Sequence, residues 1–145
     1  MKKSIIRVVL ASVLLLVMFG TLAIPALAGA PVKGLLNPEN GASADAVAKF
    51  ALQKTHASEL KVNVSLRGVE VDTTYHVYVE WRWVGNATAD GSLNNAGVFT
   101  TSKNGSGRFS SSMSGYSPGV EYRVKVRYEY SPFTIRWIGD WVPAP

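Results

Sequence analysis

The sequence predicts an all-β protein, a two-sheet sandwich of seven strands that follows an N-terminal signal peptide. Two observations predict this fold class. Residues 66–79 and 113–126 share one pattern, 47 positions apart, in which a Gly-containing corner leads into Tyr-x-Val-x-Val. Elsewhere apolar and polar residues alternate in short runs that Gly, Pro, Asn and Ser separate. Both features are typical of strands that cross between packed sheets.

The first 28 residues have the composition of a secretory signal peptide. They begin with three basic residues, Lys2, Lys3 and Arg7. Residues 8–24 are almost wholly apolar, and Ala26-Leu27-Ala28 is a small-x-small cleavage signal. We therefore expect cleavage after Ala28, a secreted or cell-surface location, and no membrane span in the mature chain. The alternative is an uncleaved anchor, because the apolar run approaches the ~17 residues of a short spanning helix.

Composition argues against several function classes. The formal charge of +5 falls to +2 without the three basic residues of the leader, which leaves 12 basic and 10 acidic residues. This balance is not that of a dedicated nucleic-acid-binding protein. The chain has no cysteine, and His56 and His76 have no partner at metal-ligand spacing. Residues 110–112, all serine, lack the Gly-x-Ser-x-Gly context of a hydrolase nucleophile. We expect no enzyme, no metal and no cofactor.

The chain order of the elements follows from the same alternation. Residues 29–43 lack a sustained period and predict a linker or arm before a domain that spans residues 44–145. The seven predicted strands are residues 44–52, 60–66, 74–84, 97–101, 108–113, 120–130 and 133–142. The first fits a strand or a short helix. Residues 85–95 are polar and aperiodic, which predicts a long loop.

Connection lengths predict which strands share a sheet. Asn104-Gly105 gives a hairpin signal between strands four and five, and Ser131-Pro132 turns the chain between strands six and seven. The repeated corners lie between strands two and three and between strands five and six, where we expect crossings between sheets. The predicted sandwich places strands 1, 2, 5 and 4 against strands 3, 6 and 7.

The two corners resemble the tyrosine corner of the fibronectin type III and immunoglobulin-like superfamily. Residues 69–79 match that pattern around Tyr75, with Val71 in place of proline. Residues 116–126 match it around Tyr122, with Pro118 retained and valine in place of threonine. The resemblance covers roughly residues 60–142 and implies an immunoglobulin-like sandwich. It also implies that both tyrosines turn inward and bond to backbone a few residues upstream.

Three tryptophans are the candidates for a binding site. Trp81, Trp83 and Trp141 share core parity in the predicted strands, whose ends meet at one end of the sandwich. Buried indoles would plug that end, whereas an open Trp83 or Trp141 would stack on a sugar ring. Nearby side chains would add hydrogen bonds and a charge; these are Asn86, Asp90, Asn94, Asn95 and Arg82.

The outer face of strands three, six and seven carries five basic and four acidic residues. This balance favours a solvated face of cross-strand ion pairs; the alternative is a docking surface for an anionic wall polymer. We predict an exported, non-enzymatic module that acts in binding or adhesion or as a structural surface component. Its partner would be a surface glycan or another extracellular protein. The alternative is a carbohydrate-binding protein that uses the Trp81, Trp83 and Trp141 end.

Overall fold

The computed structural model describes residues 29–128 and 134–145. The predicted signal peptide and the predicted turn at Ser131-Pro132 lie outside the described residues. Within them the chain forms nine strands and no helix. The strands are β1 (Val32–Pro38), β2 (Val47–His56), β3 (Glu59–Arg67), β4 (Thr74–Trp83), β5 (Gly91–Thr100), β6 (Ser106–Ser114), β7 (Val120–Tyr128), β8 (Ile135–Gly139) and β9 (Val142–Pro143).

The nine strands form one sheet that folds over on itself and is nearly closed like a barrel. The hydrogen-bonded order is β5-β4-β7-β8-β1-β2-β3-β6, and β9 pairs with β7. We call β2, β3, β6 and the first part of β1 half-sheet A, and β4, β5, β7, β8, β9 and the last part of β1 half-sheet B. The all-β prediction is confirmed. The described residues, however, hold nine strands rather than seven, in one continuous sheet.

β1 makes the sheet continuous because it pairs with both halves. Residues 32–35 pair with β2, whereas residues 36–38 pair with β8. This strand corrects the prediction that residues 29–43 are a linker. The exposure of β1 alternates, with Leu36 buried, but Gly34 faces the core and Leu35 faces solvent, so the sequence shows no apolar period of two.

β5 pairs with β4 and not with β6, which corrects the predicted strand order. His76 faces Val98 and Trp81 faces Gly91 across this pair, so residues 91–95 belong to a strand and not to a loop. The tight turn after β5 instead joins the two halves, and the end strands β5 and β6 meet through Phe99. An Asn-Gly turn sets a local reversal of the chain. It does not specify which neighbouring strand the preceding strand pairs with.

The core lies between the two halves. In β2, Ala48, Phe50 and Leu52 are buried while alternate residues face solvent, so the first predicted element is a strand and not a helix. Trp137 of β8 is fully buried and packs edge-on against Tyr75, with 5.3 Å between ring centroids. The tryptophan at the centre of the core is therefore Trp137.

The two copies of the repeated pattern lie side by side at the centre of half-sheet B. β4 and β7 are antiparallel neighbours, so that Val79 faces Val124 and Trp81 faces Tyr122. The chain crosses from half-sheet A to half-sheet B at both repeated corners, between β3 and β4 and between β6 and β7. Both predicted crossings therefore occur.

Candidate functional site

The Tyr122 corner stabilises the entry into β7. The ring is fully buried, and its hydroxyl accepts a hydrogen bond of 2.7 Å from the backbone N–H of Ser117. Burial raises the pKa of Tyr122 above its ordinary value. This is the backbone contact that the corner pattern predicts, and its function is structural.

The Tyr75 corner has a different partner. The Tyr75 hydroxyl donates to one carboxylate oxygen of Glu70, and the guanidinium of Arg136 binds the other. The expected bond from Tyr75 to backbone is thus replaced by a bond to a charged acceptor, which is stronger. Burial acts to raise the pKa of Glu70, but the hydrogen bonds from Tyr75 and Arg136 hold it below its ordinary value. Burial, with the Glu70 carboxylate, raises the pKa of Tyr75.

The β4–β5 hairpin presents one of the predicted tryptophans to solvent. Trp83 is 53% exposed, and Trp81 beneath it is partly buried. Their rings meet edge to face with 6.2 Å between centroids. Gly91 lets the strands close here, because a Cβ at that position would lie 2.7 Å from the Trp81 indole nitrogen. Trp83 is therefore accessible to solvent at this end.

The polar side chains of Asn86 and Asp90 form hydrogen bonds within the turn of the hairpin. The Asp90 carboxylate accepts a bond of 2.7 Å from the Trp83 backbone N–H and bonds of 2.9 Å from the Asn86 amide. These contacts fix the turn rather than face a ligand. The side chains of Asn94 and Asn95 lie outside what the structure describes.

Trp141 lies on the opposite side of the sheet from Trp81 and Trp83, where it contacts Arg82 of β4. This position corrects the prediction that all three indoles have core parity. It sits on the outer face of half-sheet B, with the guanidinium carbons of Arg82 and Arg123 each 4.4 Å from an indole ring centroid. Trp141 follows β8 and precedes β9, outside both strands, so the alternation of β8 does not determine its side. Of the five predicted site residues, Trp83, Asn86 and Asp90 share the hairpin, while Arg82 and Trp141 stack on the opposite side of the sheet.

The outer face of half-sheet B is a network of ion pairs. Glu80 bonds Arg123 at 2.7 Å and Lys125 at 2.5 Å, and Arg82 bonds Glu121 at 2.7 Å. Burial acts to raise the pKa of Glu80, but the hydrogen bonds from Lys125 and Arg123 outweigh it and lower that pKa. The predicted cross-strand ion pairs are present on this face, but their side chains are only 10–22% exposed, so these pairs are not the solvated ones that the sequence predicted.

Half-sheet A carries a feature that sequence reasoning missed. A trough of about 670 Å³ runs across its four strands, lined by three successive residues from each. The middle residues, such as Phe50 and Val64, point into the core and are buried, so their flanking neighbours line the outer side. We call this concavity the trough; its outward residues are Lys33, Leu35, Lys49, Ala51, Asn63, Ser65, Arg108 and Ser110.

Register brings the cations of the trough together. Leu35 and Lys49, Lys49 and Ser65, and Ser65 and Arg108 are successive cross-strand partners. These four residues therefore form one row, in which Lys49 and Arg108 lie two strands apart, about 10 Å. The next row contains Lys33. Three cations thus surround a floor of small side chains.

Two further cations, Lys61 and Arg67, extend the outer face beyond the trough along β3. None of the five cations on this face forms an ion pair within the described residues. The four strands of half-sheet A contain a single acidic residue, Glu59, which lies at the start of β3 and bonds Thr55. This face is therefore positively charged without internal neutralisation.

A signal for this face was present in the sequence. Lys49, Lys61 and Arg67 alternate with core residues along β2 and β3, and Arg108 does so on β6. A charge count on half-sheet A would have detected the excess. The pairing of β1 with β2 brings Lys33 beside these cations. The sequence pattern did not indicate this pairing.

Within the described residues, no group of three or more His, Cys, Asp or Glu side chains is arranged to hold a metal ion. The same residues include no helix with the length and hydropathy to cross a bilayer. No protein-family model, no curated protein and no solved structure matches this chain.

Proposed function

We propose that this chain is an exported, non-enzymatic binding module and that the trough of half-sheet A binds an anionic ligand. The observation that carries the proposal is the set of five cations, without ion-pair partners among the described residues, around and beside a concavity of about 670 Å³. Export rests on the composition of residues 1–28, and the immunoglobulin-like relationship rests on the two corner patterns.

The unpaired cations are better explained by a ligand than by folding. Each of these cations faces a neutral residue across the strands, but Lys33 is a diagonal neighbour of Lys49, and Arg108 lies about 10 Å from Lys49. These like charges therefore repel one another weakly. Lys49 and Arg108 are exposed, so neither charge is needed to compensate a buried partner. A negatively charged ligand removes this repulsion when it binds, and the potential of a concave surface also attracts it from solution.

A binding titration tests this proposal. Polygalacturonate serves as the anionic probe and uncharged dextran as its control, at low and at physiological ionic strength. We expect the Lys49→Gln/Arg108→Gln double variant to bind polygalacturonate about tenfold more weakly, since each exposed charge contact contributes up to about 1 kcal/mol. Lys103→Gln is the matched control, because Lys103 is exposed in the turn between β5 and β6.

Either of two results would contradict the proposal. One is equal binding of dextran and polygalacturonate by the unmodified protein. The other is equal weakening by the double variant and by Lys103→Gln. Binding through the trough also requires that added salt weaken the interaction, because exposed charges are screened within about 8 Å at physiological ionic strength.

A second candidate function is stacking of a sugar ring on Trp83. The supporting observation is its 53% exposure at the rim of the β4–β5 hairpin. Trp83→Ala should abolish binding of a neutral glycan and leave the trough unaffected. Tryptophan fluorescence titrated with neutral oligosaccharides measures this, and an unchanged spectrum at saturating glycan would contradict the candidate.

A further inference from the structure

We infer that the occupant of the trough is an extended acidic polysaccharide, a chain of hydroxylated rings that carry carboxylate, sulfate or phosphate groups. This inference rests on the proposed anion-binding function and names the ligand class for the same site. Three properties of the face support it: its span, the chemistry of its floor, and its concave shape.

The span requires a chain rather than a single small anion. The trough crosses four strands, about 14 Å at the usual strand spacing. Along β3, Arg67 and Lys61 are six residues apart, about 20 Å in an extended strand. No inorganic anion or monosaccharide reaches Lys49, Arg108 and Lys61 at once. A linear polymer with repeated negative charges does, and it gains affinity with each added contact.

The surface of the trough is mostly apolar and carries three small polar side chains. Asn63, Ser65 and Ser110 lie between the cations, and their side chains form no hydrogen bond with other described residues. They therefore leave an amide and two hydroxyls available to donate to and accept from a ligand. Leu35, which is 61% exposed, and Ala51 add an apolar strip. Sugar rings present the same combination of hydroxyl edges and C–H faces.

The shape and side chains of this face argue against two other polyanions. A lipid bilayer is flat on this scale, so it would touch the raised cations and leave the floor unfilled. Proteins that bind single-stranded nucleic acid stack its bases on aromatic side chains. The outward positions of β1, β2, β3 and β6 carry no Phe, Tyr or Trp, because Phe50 and Phe109 have the inward parity. The imidazole of His56 lies at the end of β2, beside Glu59 and outside the trough.

The test compares polyanions that share charge but differ in hydroxyl content. The probes are galacturonate oligomers of two, four and eight units, poly-L-glutamate of matched charge, phosphatidylglycerol vesicles and a single-stranded DNA oligomer. We expect affinity to rise at least tenfold from the dimer to the octamer and the octamer to bind more tightly than the other three. Asn63→Ala/Ser110→Ala should weaken octamer binding about tenfold, the value of one to two hydrogen bonds, and leave polyglutamate binding unchanged.

The variants separate failure of the ligand class from failure of the site. If polyglutamate binds as tightly as the octamer and the floor variant affects both equally, the acidic-polysaccharide inference is wrong while anion binding stands. Tighter binding to vesicles or to DNA, lost in Lys49→Gln/Arg108→Gln, overturns the inference in the same way. If none of the four probes binds more weakly to Lys49→Gln/Arg108→Gln than to Lys103→Gln, the proposed function fails as well.

Discussion

The two outer faces of this sheet use their charges differently. On half-sheet B, Glu80 lies between Arg123 and Lys125, and Arg82 pairs with Glu121. On half-sheet A, five cations face solvent without an ion-pair partner among the described residues. Both faces belong to one continuous sheet, so the difference comes from the distribution of acidic residues and not from the fold.

This difference separates charges that stabilise the protein from charges that are available to a ligand. The Lys125 ammonium is nearly buried and has the Glu80 carboxylate beside it, so removal of either group leaves an uncompensated charge. Because Lys49 is exposed, removal of its charge should change the stability of the protein little. Substitutions on one face should therefore change stability, and substitutions on the other should change binding.

The largest expected effect is on half-sheet B. Glu80→Gln should lower the free energy of unfolding by about 2 kcal/mol, because Arg123 and Lys125 lose their shared partner in a partly desolvated site. Urea denaturation with an unchanged m-value measures this. Glu59→Gln, at the exposed end of half-sheet A, should cost less than about 0.5 kcal/mol. Equal costs for the two variants would remove the distinction between the faces.

Lowering the pH should also reduce the free energy of unfolding. The folded-state pKa values of Glu80 and Glu70 are lowered, so the unfolded chain binds more protons at low pH. Their contribution to stability is present above the unfolded pKa of about 4.3 and is lost as pH falls through the folded pKa values. Urea melts between pH 7 and pH 3 should show this decline, and Glu80→Gln should make it shallower. An identical pH dependence in the variant would be the contrary result.

The two tyrosine corners should differ by a smaller amount. Tyr122→Phe should cost about 1 kcal/mol, the typical net value of one hydrogen bond, because the Ser117 N–H loses its acceptor. Tyr75→Phe should cost slightly more, about 1.5 kcal/mol, because its acceptor is the charged Glu70. Thermal melts of both variants give the comparison. If Tyr75→Phe leaves the stability unchanged, the hydrogen bond from Arg136 alone is enough to stabilise the Glu70 carboxylate.

The smallest expected effect is on the stability of half-sheet A. Lys49→Gln/Arg108→Gln should change the free energy of unfolding by less than about 0.5 kcal/mol, with a slight gain as the repulsion is relieved. Differential scanning calorimetry in the absence of ligand measures it. A loss above 1 kcal/mol would show that these cations support the fold, and it would weaken their assignment to a ligand.

Much of the fold was predictable because it depends on local patterns. The alternation in β3 and the Tyr-x-Val-x-Val segments of β4 and β7 predicted strands with the correct inward faces. The glycines and the corner tyrosines predicted where the chain crosses between the halves. Each of these signals needs only a few neighbouring residues, since a strand buries every second side chain.

The errors concern relations between distant segments. β1 was missed because an inward Gly34 and an outward Leu35 hide its alternation. The fourth predicted strand was assigned to the wrong half because a tight turn does not specify pairing. Trp141 was placed with Trp83 by extending the parity of β8 beyond the end of that strand. The trough was missed because only one outer face was examined for net charge.

The sequence by itself determined the class of the fold, the inward residues of most strands, the two crossings and the absence of cysteine chemistry. Only the tertiary structure decided which edges meet: that β1 joins β2 to β8, that β5 pairs with β4, and that Lys33, Lys49 and Arg108 surround one concavity. The physical reason is that alternation is a property of one strand. Cross-strand register instead depends on how both halves pack around Trp137 and its neighbours at the same time.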